Sequence, residues 1–391
     1  MTDSWGIRSW LEDLRRRTMY RRRRVVESPQ SRELVVDGQR LLNFCSNDYL
    51  GLAGDPRLAE AFAEGARRWG TGSGASHLIC GHTAAHHELE EALADFTGRP
   101  RALLFSTGYA ANMGAINGLL TAGDCVLEDR LNHASLLDGG WISRADFQWY
   151  EHADPRDLDK LLGEKADARR KLVVSDGTFS MDGDQCPLDD VVATARHHGA
   201  WTMIDDAHGL GVHGREGRGL VDPARFGTDD VQVLMGTLGK ALGTFGAFVA
   251  GSEELIELLI QKARSYVFTT ALPSAVAVAT LASLRIVREE SWRRERLAAH
   301  VARFRAGAEA LGLSLLPSSS PIQPVVVGDP ARTVEWSREL EARGLLITAI
   351  RPPTVPEGTS RLRVTLTAGH EEADVDRLLE ALGDTVGSPP S

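Results

Sequence analysis

The stretch VLMGTLGKALGTFGAFVAG (residues 233–251) sets one lysine, Lys240, among glycines, a threonine and apolar side chains, with no carboxylate nearby in sequence. Lysines usually stay in water, so this one needs a reason. The apolar runs on either side have strand length and lack helical period. They belong to a series that reads ALLFS (102–106), CVLED (125–129), KLVVSDG (171–177), WTMIDDAH (201–208), VQVLMG (231–236) and GAFVAG (246–251). Segments able to form helices separate most of them: Tyr109 to Leu120, Asp157 to Leu162 and Asp189 to His198. This alternation predicts an α/β fold with a large, mostly parallel sheet over residues 101–251. Ligands in such sheets bind at the carboxyl ends of the strands, so the chemistry is expected there.

After Gly251 the pattern changes. Arg293 to Leu311 has helical spacing, PIQPVVVG (321–328) and LLITAI (345–350) read as strands around a helix from Thr333 to Arg343, and a last helix runs from about Glu371 to Leu382. RLRVTLT (361–367) alternates strictly, which predicts a half-buried strand. The expected organisation is an N-terminal arm (1–45), a large α/β domain (46–285) and a smaller C-terminal α+β domain (286–391).

Composition bounds the function. The chain has 391 residues and a net charge of −10, so it is not built to coat a polyanion, and no nucleic-acid partner is expected. Cys45, Cys80, Cys125 and Cys186 form no CxxC pair, which argues against a zinc or disulfide framework and suits a reducing, cytoplasmic compartment. The N-terminus has no secretory pattern. Ser265 to Leu284 carries no charge, but Thr269, Thr270, Pro273 and Ser274 make it a loop followed by a buried helix rather than a membrane span. The basic arm, with Arg15 to Arg17 and Arg21 to Arg24, is either a solvated surface or a patch for an anionic ligand.

The strand ends carry the candidate residues. In FSTGYAAN (105–112), Ser106-Thr107-Gly108 opens a helix whose free N–H groups suit a phosphate, or is an ordinary helix cap. LNHAS (131–135) puts His133 past a strand, and DGTFSMDGD (176–184) ends another with Ser180 and acidic residues in a tight turn. In IDDAHGLG (204–211), Asp205 follows a buried run, and a buried carboxylate needs a cation. Metal ligation by Asp205, Asp206 and His208 is one reading; a protonated pyridine nitrogen is the other. Pyridoxal phosphate needs a lysine, an acid for its ring nitrogen, a phosphate cup and a group over the ring face. Lys240, Asp205, Ser106 to Gly108 and His133 offer all of these, with no metal required.

Together with NDYLGL (47–52), GSGASH (72–77), IDDAHGLGVHG (204–214) and GTLGKALG (236–243), these motifs resemble the α-oxoamine synthase family of fold-type I pyridoxal-phosphate enzymes over nearly the whole chain. The resemblance implies an acyltransferase that joins an amino acid to an acyl thioester with loss of carbon dioxide. It implies a Schiff base on Lys240, Asp205 at the ring nitrogen, His208 and Ser180 at the phenolic oxygen, and His133 over the ring, with polarisation of the thioester carbonyl as a second role to test. Backbone N–H groups of Gly108 and Tyr109 and the Thr237 hydroxyl would hold the phosphate. Thr269 and Thr270 would reach the phosphate of the other subunit in a homodimer. Arg21, Asn47, Arg351 and Thr354 would face the substrates, with Arg351 pairing the amino acid carboxylate. The segments at 322–329 and 347–370 are most similar to the members that condense L-alanine with pimeloyl-CoA or pimeloyl-acyl carrier protein in biotin biosynthesis. Members using glycine or serine are the alternative, and a cofactor- or carrier-binding protein without turnover is a further one. Ala75, His77 and Tyr109 depart from the family pattern, and His82 has no assignment.

Overall fold

The computed structural model describes residues 4–17 and 19–387; residues 1–3, 18 and 388–391, which fall in the expected arm and C-terminal domain, lie outside the described residues. The chain first forms an antiparallel hairpin of β1 (Glu33–Val36) and β2 (Gln39–Asn43). The apolar runs then become β3 (Arg101–Phe105), β4 (Cys125–Asp129), β5 (Asp146–Tyr150), β6 (Lys171–Asp176), β7 (Trp201–Asp205), β8 (Val233–Thr237) and β9 (Ala247–Gly251). They make one sheet in the order β3-β9-β8-β7-β6-β4-β5. The pairs from β5 through β4, β6 and β7 to β8 are parallel, while β9 runs against both its neighbours, β8 and β3. Strand β4 is buried along its whole length, as parallel strands covered by helices on both faces must be.

Helix Gly108–Leu119 lies over β8 and β9 and places its first residues beside the sheet's carboxyl edge. Helices Pro56–Trp69 and Ser274–Glu289 pack on each other. Gly65 permits the close approach: a Cβ there would come 2.8 Å from the Cα of Ala275. The uncharged run at 265–284 is a short helix, Arg264–Val267, a connection, and the start of Ser274–Glu289. No helix among the described residues is long and apolar enough to cross a membrane.

The C-terminal strands are β10 (Ile322–Gly328), β11 (Leu345–Leu346), β12 (Thr348–Ile350) and β13 (Ser360–Thr365). Strand β13 is the centre of an antiparallel sheet, β10-β13-β12. The expected single strand at 345–350 is instead divided, because β11 leaves for a parallel pairing with β2 and so ties the N-terminal hairpin to this part of the fold. The reading of β13 as half-buried is also corrected: all six of its residues are buried. Its polar face does not meet solvent; Arg361 pairs with Asp182, and the Arg363 Nε donates to the Ser180 carbonyl at 2.7 Å. Strand β5 and helix Ala134–Ile142 were not expected from the sequence.

One ion pair pins two strand-end loops. His152 Nδ1 lies 3.0 Å from Asp129 Oδ1 at the end of β4, and its Nε2 lies 2.8 Å from Asp184 Oδ2 in the loop after β6. Burial pulls the imidazole pKa down, but hydrogen bonds and charge from Asp129 and Asp184 outweigh it and bring it up to about 10. The unfolded value is about 6.5, so the contribution is complete below that pH and is lost as pH rises toward the folded value. His152→Asn is therefore expected to be less stable than the wild type at pH 6 in urea denaturation, with the gap closing by pH 10. A gap independent of pH would mean that the ion pair is not its cause.

Candidate active site

The parallel strands deliver acidic residues side by side. Asp176 ends β6 and Asp205 ends β7, and the two are register partners across the strands. The next strand, β8, runs out through Thr237 into the turn that carries Lys240. Leu238 N–H donates to the Gly246 carbonyl at 2.9 Å and Gly243 N–H to the Lys240 carbonyl at 2.8 Å, closing a tight connection to antiparallel β9. Lys240 thus stands at the sheet's carboxyl edge for a topological reason. Burial lowers its pKa; the charges of Asp205 and Asp176 oppose this, and the nearby Arg363 reinforces it. A free amine is correspondingly easier to form near neutral pH.

A chain of hydrogen bonds links Asp205 to His133. The Asn112 amide nitrogen donates to Asp205 Oδ2 at 2.8 Å and to Ser135 Oγ at 2.9 Å. The opposite amide orientation would turn its oxygen toward a carboxylate, so this assignment is electrostatically fixed. Ser135 Oγ accepts from Asn112, which directs its own proton to His133 Nδ1 at 2.7 Å. The Ser135 backbone N–H points to the same nitrogen at 3.2 Å. Nδ1 is therefore an acceptor, and the neutral ring carries its proton on Nε2. Burial lowers the His133 pKa; Asp205 opposes this and Lys240 adds to it. The His133 backbone N–H donates to Asp176 Oδ2 at 2.6 Å, which seats the residue over the strand ends. Asp176 is fully enclosed, and burial followed by the charge of Asp205 raises its pKa far above the carboxylate range.

The opposite wall comes from distant parts of the chain. His208 Nδ1 is 2.5 Å from the Tyr49 hydroxyl, and burial holds its pKa well below the ordinary value. Arg363 reaches in from β13: besides the Ser180 carbonyl it donates to Asn47 Oδ1 at 3.2 Å and to Thr365 Oγ1 at 2.9 Å. It has no carboxylate partner among the described residues. Asn47, Ser180 and His208 are thereby gathered around one guanidinium and one phenol.

The cup lies at the start of helix Gly108–Leu119. Thr107 Oγ1 accepts from Ala110 N–H at 3.1 Å, capping the helix as an ordinary threonine would. The N–H groups of Gly108 and Tyr109 have no acceptor among the described residues. A Cβ on Gly108 would lie 2.9 Å from Thr237 Cγ2, so those residues touch across the cup. The Tyr109 side chain is exposed and its hydroxyl bonds Asp138, leaving only its backbone for the cup. Ser106 Oγ donates to the Thr270 carbonyl at 3.3 Å, which brings Thr270 to the same rim within one chain.

These features fit pyridoxal phosphate. Asp205 is a buried carboxylate whose hydrogen bonds come from Asn112 and from the Ala207 N–H, with no ion pair to a lysine or arginine among the described residues. Two unpaired backbone donors, a glycine that cannot be enlarged and the Thr237 hydroxyl suit a phosphate. The metal reading fails: Asp206 turns away to accept from Leu220 N–H at 2.7 Å, and His208 is bonded to Tyr49, so they do not converge with Asp205.

Among the described residues, no hydrogen bond joins Arg21, Arg351 or Thr354 to the residues above. Arg351 lines a groove with Arg15, Tyr20, Arg22, Arg24 and Arg338. Burial, then Arg21 and Arg338, lower its pKa. Thr354 is exposed and its N–H donates to the Arg351 carbonyl at 3.1 Å. Within the basic run, Arg24 is engaged by Asp37 at 3.0 Å and Glu341 at 2.6 Å and so has a structural role. Asn112, Ser135, Asp176, Tyr49 and Arg363 escaped the sequence reading. Asn112 lies in the quoted FSTGYAAN and Asp176 heads DGTFSMDGD, so both were within motifs, but nothing in spacing shows which way a helix-borne amide points.

The sequence matches the aminotransferase class I and II family over residues 39–382. It is 61% identical to an 8-amino-7-oxononanoate synthase of Methylococcus capsulatus, covering 97% of each chain. It is 59% identical to one of Pseudomonas putida, again covering 97% of each. Among solved structures, serine palmitoyltransferase of Sphingomonas wittichii superposes with a TM-score of 0.92 at 32% identity, over 98% of this chain and 97% of that one. An 8-amino-7-oxononanoate synthase of Francisella tularensis gives 0.78 at 28% identity, over 88% and 98%. The chain belongs to the aminotransferase class I and II family, on the branch of the 8-amino-7-oxononanoate synthases.

Proposed function

We infer that the chain is a pyridoxal-phosphate-dependent acyltransferase. It condenses L-alanine with a pimeloyl thioester, releasing carbon dioxide and the thiol carrier and forming 8-amino-7-oxononanoate for biotin biosynthesis. The observation that carries this reading is the buried relay from Asp205 through Asn112 and Ser135 to His133, set opposite Lys240. Identity of 61% to a synthase of this name supports it over the glycine- and serine-using alternatives.

When bound, the cofactor supplies an aldehyde that captures the amine and a protonated pyridine ring that withdraws the electron pair left on the α-carbon. Lys240, whose pKa burial lowers, would be the base that takes the α-proton of alanine. Asp205 would accept from the ring nitrogen and favour its protonated form. Gly108 and Tyr109 through their backbone N–H groups and Thr237 through its hydroxyl would hold the phosphate, and Ser180 and His208 would contact the phenolic oxygen. His133, with its proton on Nε2, would cover the ring and donate to the thioester carbonyl as charge develops there.

Two arginines serve two anions. Arg363 stands on the site's far wall, bonded to the Ser180 carbonyl and to Asn47 Oδ1 and without a carboxylate partner among the described residues, which suits it to the amino acid carboxylate. Arg351 has Arg21 and Arg338 for neighbours and belongs to the arm's groove, which suits the acyl donor's terminal carboxylate. In this reading Arg363 takes the alanine carboxylate, the role that the resemblance gave to Arg351.

Homodimerisation accords with the apolar surface beside the site. Ile79 is 78% exposed and Phe268, next to Thr269 and Thr270, is 70% exposed. Side chains of this size gathered at a rim mark an association surface, and it would let Thr269 and Thr270 of one subunit serve the phosphate held by the other. The free cysteines accord with a cytoplasmic enzyme.

Incubated with pyridoxal phosphate, L-alanine and pimeloyl-CoA, the purified chain is expected to release thiol only when both substrates are present. Mass spectrometry should show 8-amino-7-oxononanoate. Turnover of glycine or serine but not alanine would move the chain to another branch. His133→Phe, which lacks the Nε2 donor, is expected to lose about a hundredfold in kcat; an unchanged rate removes that role. Arg363→Lys should raise the alanine KM about tenfold or more through loss of the planar fork, and Arg351→Ala should raise the donor KM instead. The reverse pattern would restore Arg351 to the amino acid.

A further inference from the structure

Away from the reaction, four histidines gather around the N-terminus of helix Ala84–Thr97. His82 is central, with ring centroids 5.2 Å from His77, 5.7 Å from His86 and 6.2 Å from His87. His86 is fully used by the fold: its Nδ1 accepts from the Thr83 N–H at 3.0 Å and its Nε2 donates to the Leu272 carbonyl at 2.6 Å. His82 is not. Its Nδ1 lies 2.9 Å from His77 Nδ1, and its Nε2 faces Glu90 Oε2 at 3.9 Å, beyond hydrogen-bond reach.

A short contact between two Nδ1 atoms needs one proton between them. If His82 donates it, the His82 Nε2 lone pair points toward a carboxylate oxygen, and a cation between them satisfies both. His77 is then the fixed outer partner, its ring stacked on Tyr266 at 4.8 Å and 15°. Metal-binding histidines typically donate their second ring nitrogen in this way. Glu90 is oriented from the other side, its Oε1 accepting the Leu104 N–H at 2.9 Å. His87 precedes Glu90 by three residues on the helix, so both fall on one face. One ligand atom from each of His82, His87 and Glu90 lies within 4.8 Å of the others. Bonds of about 2.1 Å in a tetrahedral site require ligand separations of about 3.4 Å. His87 is exposed, its Nε2 3.4 Å from Glu91 Oε1, and ligation would exchange that surface contact for the metal.

We propose that His82 Nε2, His87 and Glu90 Oε2 form a site for a divalent transition metal, with the fourth position open to water. Two imidazoles and one carboxylate suit Zn²⁺ rather than Mg²⁺ or Ca²⁺. The ion would clamp the π-helical turn His77–Gly81 to the following helix. That turn adjoins Ser76, which bridges to Thr270 at the rim of the active site. His82, His87 and Glu90 take no part in the reaction described above, so the site stands independently of it.

The test uses the cofactor-loaded full chain, freed of metal by chelator and titrated with Zn²⁺ by calorimetry. One equivalent per chain is expected, with a rise in Tm. His87→Ala and Glu90→Gln should each weaken binding at least about tenfold, the loss that outer partners alone can produce, and should abolish the Tm rise. Cys80→Ser should bind as the wild type does, and X-ray absorption should show nitrogen and oxygen ligands without sulfur. His87 is 65% exposed, so its replacement does not threaten folding. Absence of binding, wild-type affinity in His87→Ala, or sulfur in the ligand shell would each overturn the proposal.

Discussion

The site depends on one buried carboxylate. Asp205 stands at the end of a central parallel strand, where an anion is costly unless something positive or donating meets it. The Asn112 amide and the Ala207 N–H supply donors, but neither supplies charge. The remaining acceptor capacity is what a protonated pyridine ring needs. Much else in the site follows from this. Asn112 must keep its nitrogen toward Asp205, which commits its second hydrogen to Ser135, and Ser135 then sets the tautomer of His133. A single electrostatic requirement passes through three residues and decides which nitrogen of an imidazole is free to donate.

The second constraint is topological. Parallel strands β6, β7 and β8 end on the same edge and bring Asp176, Asp205 and the Lys240 turn together. The reversal into β9 turns the chain back directly after β8, so the lysine sits at a tight hairpin-like tip rather than in a crossover. The far wall is built by the small C-terminal sheet. Buried Arg361 and Arg363 project from β13 onto Asp182, Ser180 and Asn47, so the loop after β6 is fixed by residues 179 positions away in sequence in the case of Asp182. The far wall of the site and the packing of the C-terminal sheet therefore share side chains.

Much of this was legible in the sequence. The runs from ALLFS to GAFVAG were legible because the inner strands of a sheet covered by helices are apolar along most of their length, whether parallel or, like β3 and β9, antiparallel, and their polar ends pointed to Lys240, Asp205 and His133. The failures have physical causes. DFQWY, the edge strand β5, is largely half-exposed, so its composition does not announce a strand. RLRVTLT alternates because its polar face meets polar loops rather than water, and alternation cannot distinguish the two. LLITAI divides because β11 pairs with β2, some 300 residues away, a contact no local pattern encodes. Asn112 and Ser135 look like helix residues, and their role lies in direction rather than identity.

The central claim is that Lys240 exists to bond the cofactor. The chain has five lysines: Lys160, Lys165, Lys171, Lys240 and Lys262. Borohydride reduction of the chain loaded with pyridoxal phosphate, followed by peptide mapping, reads the bonded residue directly. The account predicts one pyridoxyl group per chain, on Lys240, and none in Lys240→Ala. A label on another lysine, or a Lys240→Ala protein that still retains one equivalent covalently, would contradict it.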